Sequence, residues 1–200
     1  MRKLFLWILA AFSLSAAHAQ VQLGIKAGMN FSTINTNNYG KISMKTGLIA
    51  GGIVSLPLFS HITLQPEIMY SAQGAKSTEN NVTSNLNIDY VNIPLLVKYN
   101  HPSGFFVESG PQLGLLLNAK LLLPNYNEDM KPNYRSSDFA WTFGLGYLIK
   151  DANVGIDARY NLGISNFFKD TYIGDAQNNV IQVSLFFLFG VKSTKTDQGL

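Results

Sequence analysis

The chain has 200 residues, of which 46% are hydrophobic and only 14% charged, with no cysteine and a formal net charge of +3. A soluble domain carries about 25% charged residues, and a chain without cysteine has neither a disulfide framework nor a lipid-modified N-terminal cysteine. Setting aside Arg2 and Lys3 lowers the 15 basic residues to 13 against 12 acidic ones, a net of about +1 without a basic run, and a nucleic-acid partner is not expected.

The first segment reads as an export signal. Arg2 and Lys3 form a positive start, Leu4 to Ala16 an apolar core, and Ala17-His18-Ala19 a small-x-small cleavage pattern before Gln20. The core is shorter than the roughly 20 residues that span a bilayer as a helix, and no later apolar run reaches that length. Residues 1–19 are therefore expected to be removed on export.

From residue 21 onward the dominant signal is a period of two, which gives each residue set its own face of a strand. The first strand is expected over Val21 to Thr33, with Lys26 among the small and polar residues of one face. A polar loop leads to the second, Met44 to Leu56, where Gly47, Gly51 and Gly52 suggest tight curvature. Pro57 to Ser60 makes a short turn into the third, His61 to Gln73, which carries Glu67. A long loop, Gly74 to Asn85, precedes the fourth, Leu86 to Tyr99, with Lys98 on its polar face. Asn100 to Ser103 turns into the fifth, Phe105 to Ala119, whose inner face carries Glu108, Gly110, Gln112 and Gly114. The longest loop, Lys120 to Ser137, leads to the sixth, Phe139 to Ile149, in which every odd position is large and apolar. Lys150 to Ala152 turns into the seventh, Asn153 to Ser165, with Asp157 and Arg159 inward. The loop Phe167 to Asn178 precedes the eighth and most apolar strand, Asn179 to Lys192. Pro66, Pro94 and Pro111 lack an N–H and are expected to mark bulges or unpaired positions.

Long polar joints alternate with short ones throughout. Short turns on one side, long loops on the other and an even strand number describe a transmembrane barrel with apolar residues toward lipid and small or polar ones toward the lumen. Residues 20–192 are expected to form an eight-stranded antiparallel up-and-down transmembrane β-barrel, followed by a polar C-terminal tail over 193–200. The rival is a soluble lipocalin-like carrier, which would turn the bulky faces inward and carry more charge outside.

Lys26, Glu67, Lys98, Glu108, Asp157 and Arg159 fall on the lumen face by alternation. An eight-stranded interior is only wide enough for side chains, so these charges are expected to pair with one another as a structural polar network. The alternatives are a narrow ion or small-solute path, or Glu67 and Glu108 as a catalytic carboxylate pair. The histidines of the mature chain, His61 and His101, fall at short turns, away from the long loops where a general base would act. No enzymatic activity, metal site or cofactor is expected. Aromatic residues near strand ends, such as Tyr70 and Tyr99, read as interfacial girdles. In the longest loop, Tyr126, Tyr134 and Arg135 form a candidate contact surface for protein or glycan.

Leu64-Gln65-Pro66-Glu67-Ile68-Met69-Tyr70-Ser71 and Tyr90-Val91-Asn92-Ile93-Pro94-Leu95-Leu96-Val97-Lys98-Tyr99 resemble the PorT-like outer-membrane barrel family. Glu108-Ser109-Gly110-Pro111 and Asp157-Ala158-Arg159-Tyr160-Asn161-Leu162-Gly163 extend the resemblance across nearly the whole mature chain. Asn92 departs from the family, which commonly has Glu there, and so does the polar tail after the last strand. The resemblance implies an integral barrel of the Gram-negative outer membrane, usually without a defined activity, and its name-giving member is implicated in protein secretion. The expected function is structural or surface-recognising through the long loops. An accessory role in secretion or a narrow channel is the alternative. Expected partners are outer-membrane lipids, the barrel-insertion machinery and an extracellular protein or glycan.

Overall fold

The computed structural model describes residues 21–36, 42–79, 82–123, 126–166 and 176–189. The export signal and the C-terminal tail read from the sequence lie outside these residues. Nine strands are present: β1 (Gln22–Thr36), β2 (Ile42–Pro57), β3 (Ile62–Glu79), β4 (Val82–Asn100), β5 (Phe105–Leu123), β6 (Tyr126–Asp129), β7 (Ser137–Ile149), β8 (Val154–Gly163) and β9 (Ala176–Phe189). All pairings are antiparallel. Neighbours in the order β4-β3-β2-β1-β9-β8-β7-β5 are hydrogen-bonded, and β4 also pairs with β5, which closes eight strands into a barrel. The short β6 pairs with β5 alone as an appended hairpin.

The strands extend further at the long-loop end than their apolar pattern indicates. β3 continues to Glu79 and β4 starts at Val82, so most of the expected loop Gly74 to Asn85 is a hairpin. β5 likewise runs into the expected loop Lys120 to Ser137 and β6 lies within it. A strand beyond the lipid has no need of an apolar face, and polar hairpin residues read as loop.

Of the two alternatives expected at the prolines, the structure shows unpaired positions and no bulge. Pro66 has no partner in the β2–β3 ladder, Pro94 none in β3–β4 and Pro111 none in β4–β5. Pairing resumes in the same register past each, as Pro66↔Leu95 and Met69↔Asn92 show on either side of Pro94. The missing N–H is absorbed by a skipped rung, with no residue inserted. Pro111 keeps its partner Trp141 in the β5–β7 ladder. The register shifts fall elsewhere: between Met44 and Ile49 of β2, and opposite Asp89 and Tyr90 of β4, where partners step from Asn118 to Leu116 and leave Leu117 extra.

Exposure follows the lipid-facing pattern. Leu48 is 65% exposed, Ile68 64% and Leu185 59%, whereas Lys26, Glu67 and Arg159 are buried. A monomer in water rarely shows so large a continuous apolar surface, and this inversion excludes the soluble carrier.

The lumen is filled in layers. Next to the short turns, Ile53, Phe106, Phe186 and Leu188 form an apolar floor, with Leu148 against it. The Phe106 and Phe186 rings meet edge to face at 5.9 Å. Above the floor lie the charged residues, then a layer rich in amides. At the long-loop end, Ala75, Ile88, Tyr90, Leu116, Ala119 and Tyr134 form a second apolar cluster on the β3–β5 side, with Leu86 and Met130 packed on it.

Glycines make room for this filling. Gly144 on β7 stands between Glu108 and Arg159 in register, and a Cβ there would lie 2.9 Å from Glu108 Oε1 and 3.0 Å from Arg159 Cγ. Gly144→Ala is expected to lower stability by about 1–3 kcal/mol through overpacking, read as the urea midpoint of the vesicle-inserted barrel. On the outer face, Gly52→Ala meets nothing nearer than Gly24 O at 3.9 Å and should stay within about 0.5 kcal/mol.

Candidate functional site

Lys26 of β1, Glu67 of β3, Lys98 of β4, Glu108 of β5, and Asp157 and Arg159 of β8 converge on one level of the lumen. The period of two delivers each inward, and the residue between Asp157 and Arg159 points to lipid. Three cations face three carboxylates, so the layer is neutral. Arg159 Nη1 donates to Glu67 Oε2 and Nη2 to Glu67 Oε1, both at 2.7 Å, while Nε donates to Glu108 Oε1 at 2.6 Å. This two-pronged guanidinium–carboxylate pair is the strong form of a charge-assisted hydrogen bond. Lys26 Nζ lies 3.2 Å from Glu67 Oε1 and 2.6 Å from Asp157 Oδ2. The second contact is an ion pair without hydrogen-bond alignment, since neither Asp157 oxygen has a hydrogen-bond partner and Glu108 Oε2 also lacks one. Distance and alignment thus disagree at Asp157. The 2.6 Å separation is the more telling, because Coulomb attraction depends weakly on angle.

Lys98 differs from the other five. No carboxylate lies within ion-pair distance among the described residues. Its ammonium stands 3.4 Å from the centroid of the Phe106 ring and 4.9 Å from that of Phe186, and is 3.5 Å from Gln65 Oε1. The aromatic floor therefore holds the third cation by its ring faces. Gln65 in turn donates to Glu67 Oε1 at 2.7 Å. Gln65, Phe106 and Phe186 were not singled out in the sequence, although Gln65 shares the parity of Glu67. The two phenylalanines sit in runs that are apolar on both faces and so lose the alternation signal.

Above this belt a hydrogen-bonded chain crosses from β1 to β9. Asn30 donates to Ser71 Oγ at 2.8 Å, Gln73 donates to the same oxygen at 2.7 Å, and Asn178 donates to Gln73 Oε1. Gly47 and Gly51, inward on β2, leave β1 side chains free to reach β3 past it. On the other side, Thr142 donates to Asn161 Oδ1 at 2.8 Å.

The loop candidates divide. Tyr126 is 61% exposed and Arg135 is exposed. Tyr134, expected on the contact surface, is instead buried within the second apolar cluster at 3% exposure. A 3₁₀ turn, Lys131–Asn133, with Pro132 in its first turn folds the segment back over the lumen, and Met130 N donates to Ala119 O at 2.9 Å to hold it. Of the aromatics near the loops, Tyr39, Phe167, Phe168 and Tyr172 lie outside the described residues. Tyr99 is exposed near the short-turn end, stacked on His61 at 6.0 Å. His101 pairs with Ser103 Oγ at 2.8 Å. Among the described residues no group of three or more His, Asp or Glu is placed to hold a metal.

A closed eight-stranded barrel with an apolar belt outside and a charged layer inside is an integral outer-membrane protein. The chain belongs to the outer membrane protein beta-barrel domain family, whose model matches residues 13–169. No curated protein matches it in sequence. Its fold is similar to that of Neisserial surface protein A, with TM-score 0.59 and 10% identity over 82% of this chain and 96% of the other. It is also similar to Ail, the attachment invasion locus protein of Yersinia pestis, with TM-score 0.53 and 14% identity over 84% and 98%. Ail in complex with the heparin analogue sucrose octasulfate gives TM-score 0.52 and 12% identity over 84% and 99%. The short turns are therefore periplasmic and the long loops extracellular.

Two tests follow from this geometry. Arg159→Ala leaves Glu67 and Glu108 buried without their shared cation, an expected loss of about 3–5 kcal/mol, read from urea unfolding in vesicles. The second concerns the Tyr134 phenol, which burial pushes up from 10.0 to about 12. A raised value in the folded state means its share of the loop's stability is complete below pH 10 and lost as pH rises from 10 to about 12. Limited proteolysis of segment 126–136 should accelerate across that window, and Tyr134→Phe should remove the pH dependence.

Proposed function

We propose that this barrel is a non-catalytic surface-recognition protein that contacts an extracellular protein or glycan through its loop rim. The observation that carries the reading is the closure of the lumen. The six belt residues are between 1% and 4% exposed, so among the described residues side chains fill the lumen at their level. What remains accessible on the outer side of the membrane is the extracellular rim. There the β5–β6 hairpin and the segment after it present Tyr126, Glu128, Asp129, Lys131 and Arg135 to solvent. Recognition on a rigid scaffold concentrates on such connections, and a rim that carries an exposed tyrosine and an arginine has the composition of a contact surface. The similarity in fold to Ail, seen with a heparin analogue, makes a sulfated glycan the first probe.

The expected partners are then the outer-membrane lipids around the wall, the insertion machinery during assembly and one extracellular ligand. The resemblance of segments 64–71 and 90–99 to PorT-like barrels supports a second reading, a secretion accessory whose partner docks at the periplasmic turns 58–61 and 101–104.

The experiment is binding of the vesicle-inserted barrel to immobilised heparin and to extracellular matrix proteins. Tyr126→Ala combined with Arg135→Ala is expected to weaken binding about tenfold, on the scale of a recognition hot spot, with heat-modifiable gel migration unchanged. If the double variant binds as the parent does, and cross-links from intact cells map to 58–61 or 101–104, the secretion reading replaces this one.

A further inference from the structure

A carboxylate stands on the lipid-facing wall. Asp89 of β4 shares the outward parity of Val91, Ile93, Leu95, Val97 and Tyr99. Ten residues separate Tyr99 from Asp89 along β4, which at ~3.3 Å per residue and a tilt of ~40° corresponds to about 25 Å, the height of a barrel's apolar band. With Tyr99 at the periplasmic boundary, Asp89 lies at the level of the outer-leaflet head groups.

Its surroundings are built. Tyr70 Oη donates to Asp89 Oδ1 at 3.0 Å, and Asn118 Nδ2 donates to Asp89 Oδ2 at 3.4 Å. No ion pair joins Asp89 among the described residues, and each oxygen, accepting one hydrogen bond, keeps a free lone pair. The register shift at Leu117 creates this arrangement. Strict alternation from Leu116 would turn Asn118 into the lumen. The extra residue leaves Leu117 and Asn118 both outward and sets Asn118 directly opposite Asp89. Bulges of this kind re-aim side chains near binding sites.

A carboxylate with free acceptor sites, an amide and a half-exposed tyrosine ring form a saccharide-binding set. The acid and amide match vicinal hydroxyls, and the ring covers the C–H face of a sugar. Directly below, Ile68, Ile93, Leu115 and Leu117 are exposed on the wall, an apolar track that suits acyl chains. We propose that Asp89, Asn118 and Tyr70 hold the sugar head group of an outer-leaflet glycolipid whose chains lie along this track. The site faces lipid and is separate from the rim surface proposed above.

The test is native mass spectrometry of the full mature barrel. It is folded into phosphatidylcholine nanodiscs, titrated with rough lipopolysaccharide and released in mild detergent. The parent protein is expected to retain one glycolipid. Asp89→Asn and Asn118→Leu are each expected to weaken retention about tenfold, while Tyr126→Ala on the rim leaves it unchanged. If Asp89→Asn does not give the folded, heat-modifiable band, Tyr70→Phe removes a single outward hydroxyl and should still weaken retention severalfold. Equal retention by the parent, Asn118→Leu and Tyr70→Phe overturns the proposal. So does competition by the deacylated core saccharide at the same concentration as the intact glycolipid, which would mark a site for free sugar. Failure of the heparin experiment leaves this readout untouched.

Discussion

The guanidinium of Arg159 ties three strands of the wall together from inside. It reaches β3 through Glu67 and β5 through Glu108, across 92 and 51 residues of sequence. Burying six charges in a protein interior costs several kcal/mol per ion, and the geometry offsets it by pairing. Three positive and three negative groups sum to zero, and a planar donor meets two carboxylates at once. The rest of the interior is arranged around that requirement. Gly144 lacks a side chain where the ion pairs need space, the aromatic floor holds Lys98, which has no carboxylate within ion-pair distance among the described residues, and the amides above carry the polar layer toward the mouth.

Much of this was legible because a barrel strand writes its two environments into alternate letters. The parity that places Ile156 and Ala158 in lipid places Asp157 and Arg159 inside, and this argument needs no knowledge of the partner strand. Pairing was another matter. That Glu67 meets Arg159, while Lys98 turns to Phe106, depends on the shear of the closed sheet, which no local pattern encodes. The floor was hidden for a different reason. Phe186 and Leu188 stand beside Phe187 and Phe189, and a run apolar on both faces carries no period. Tyr134 shows the opposite failure: a tyrosine between prolines in a polar loop reads as surface, but a single 3₁₀ turn brings it over the lumen. The skipped rungs at Pro66 and Pro94 show that a missing donor interrupts a ladder without displacing it.

The extra residue at Leu117 links two surfaces that have no contact with each other. Inside, it brings Ala119 beneath Tyr134, so that the loop segment finds a flat apolar seat. Outside, it moves Asn118 to the lipid boundary beside Asp89. One insertion in one strand therefore sets both the closure of the mouth and the polarity of the outer wall. In a barrel each residue added to a strand exchanges inside for outside for everything beyond it, and local irregularities are correspondingly consequential.

The charged belt also bears on how the chain enters the membrane. Its members are spread over β1, β3, β4, β5 and β8, and β8 brings both Asp157 and Arg159 near the end of the sequence. The hairpins differ in what they carry. β3 with β4 brings Glu67 and Lys98, β4 with β5 brings Lys98 and Glu108, and β8 holds Asp157 with Arg159, each a formally neutral set, whereas β1 brings Lys26 without a belt carboxylate. Neutrality is not pairing, since Glu67 and Glu108 meet their shared guanidinium only when β8 arrives. The last quarter of the chain thus supplies the donor that completes the belt laid down by the strands before it.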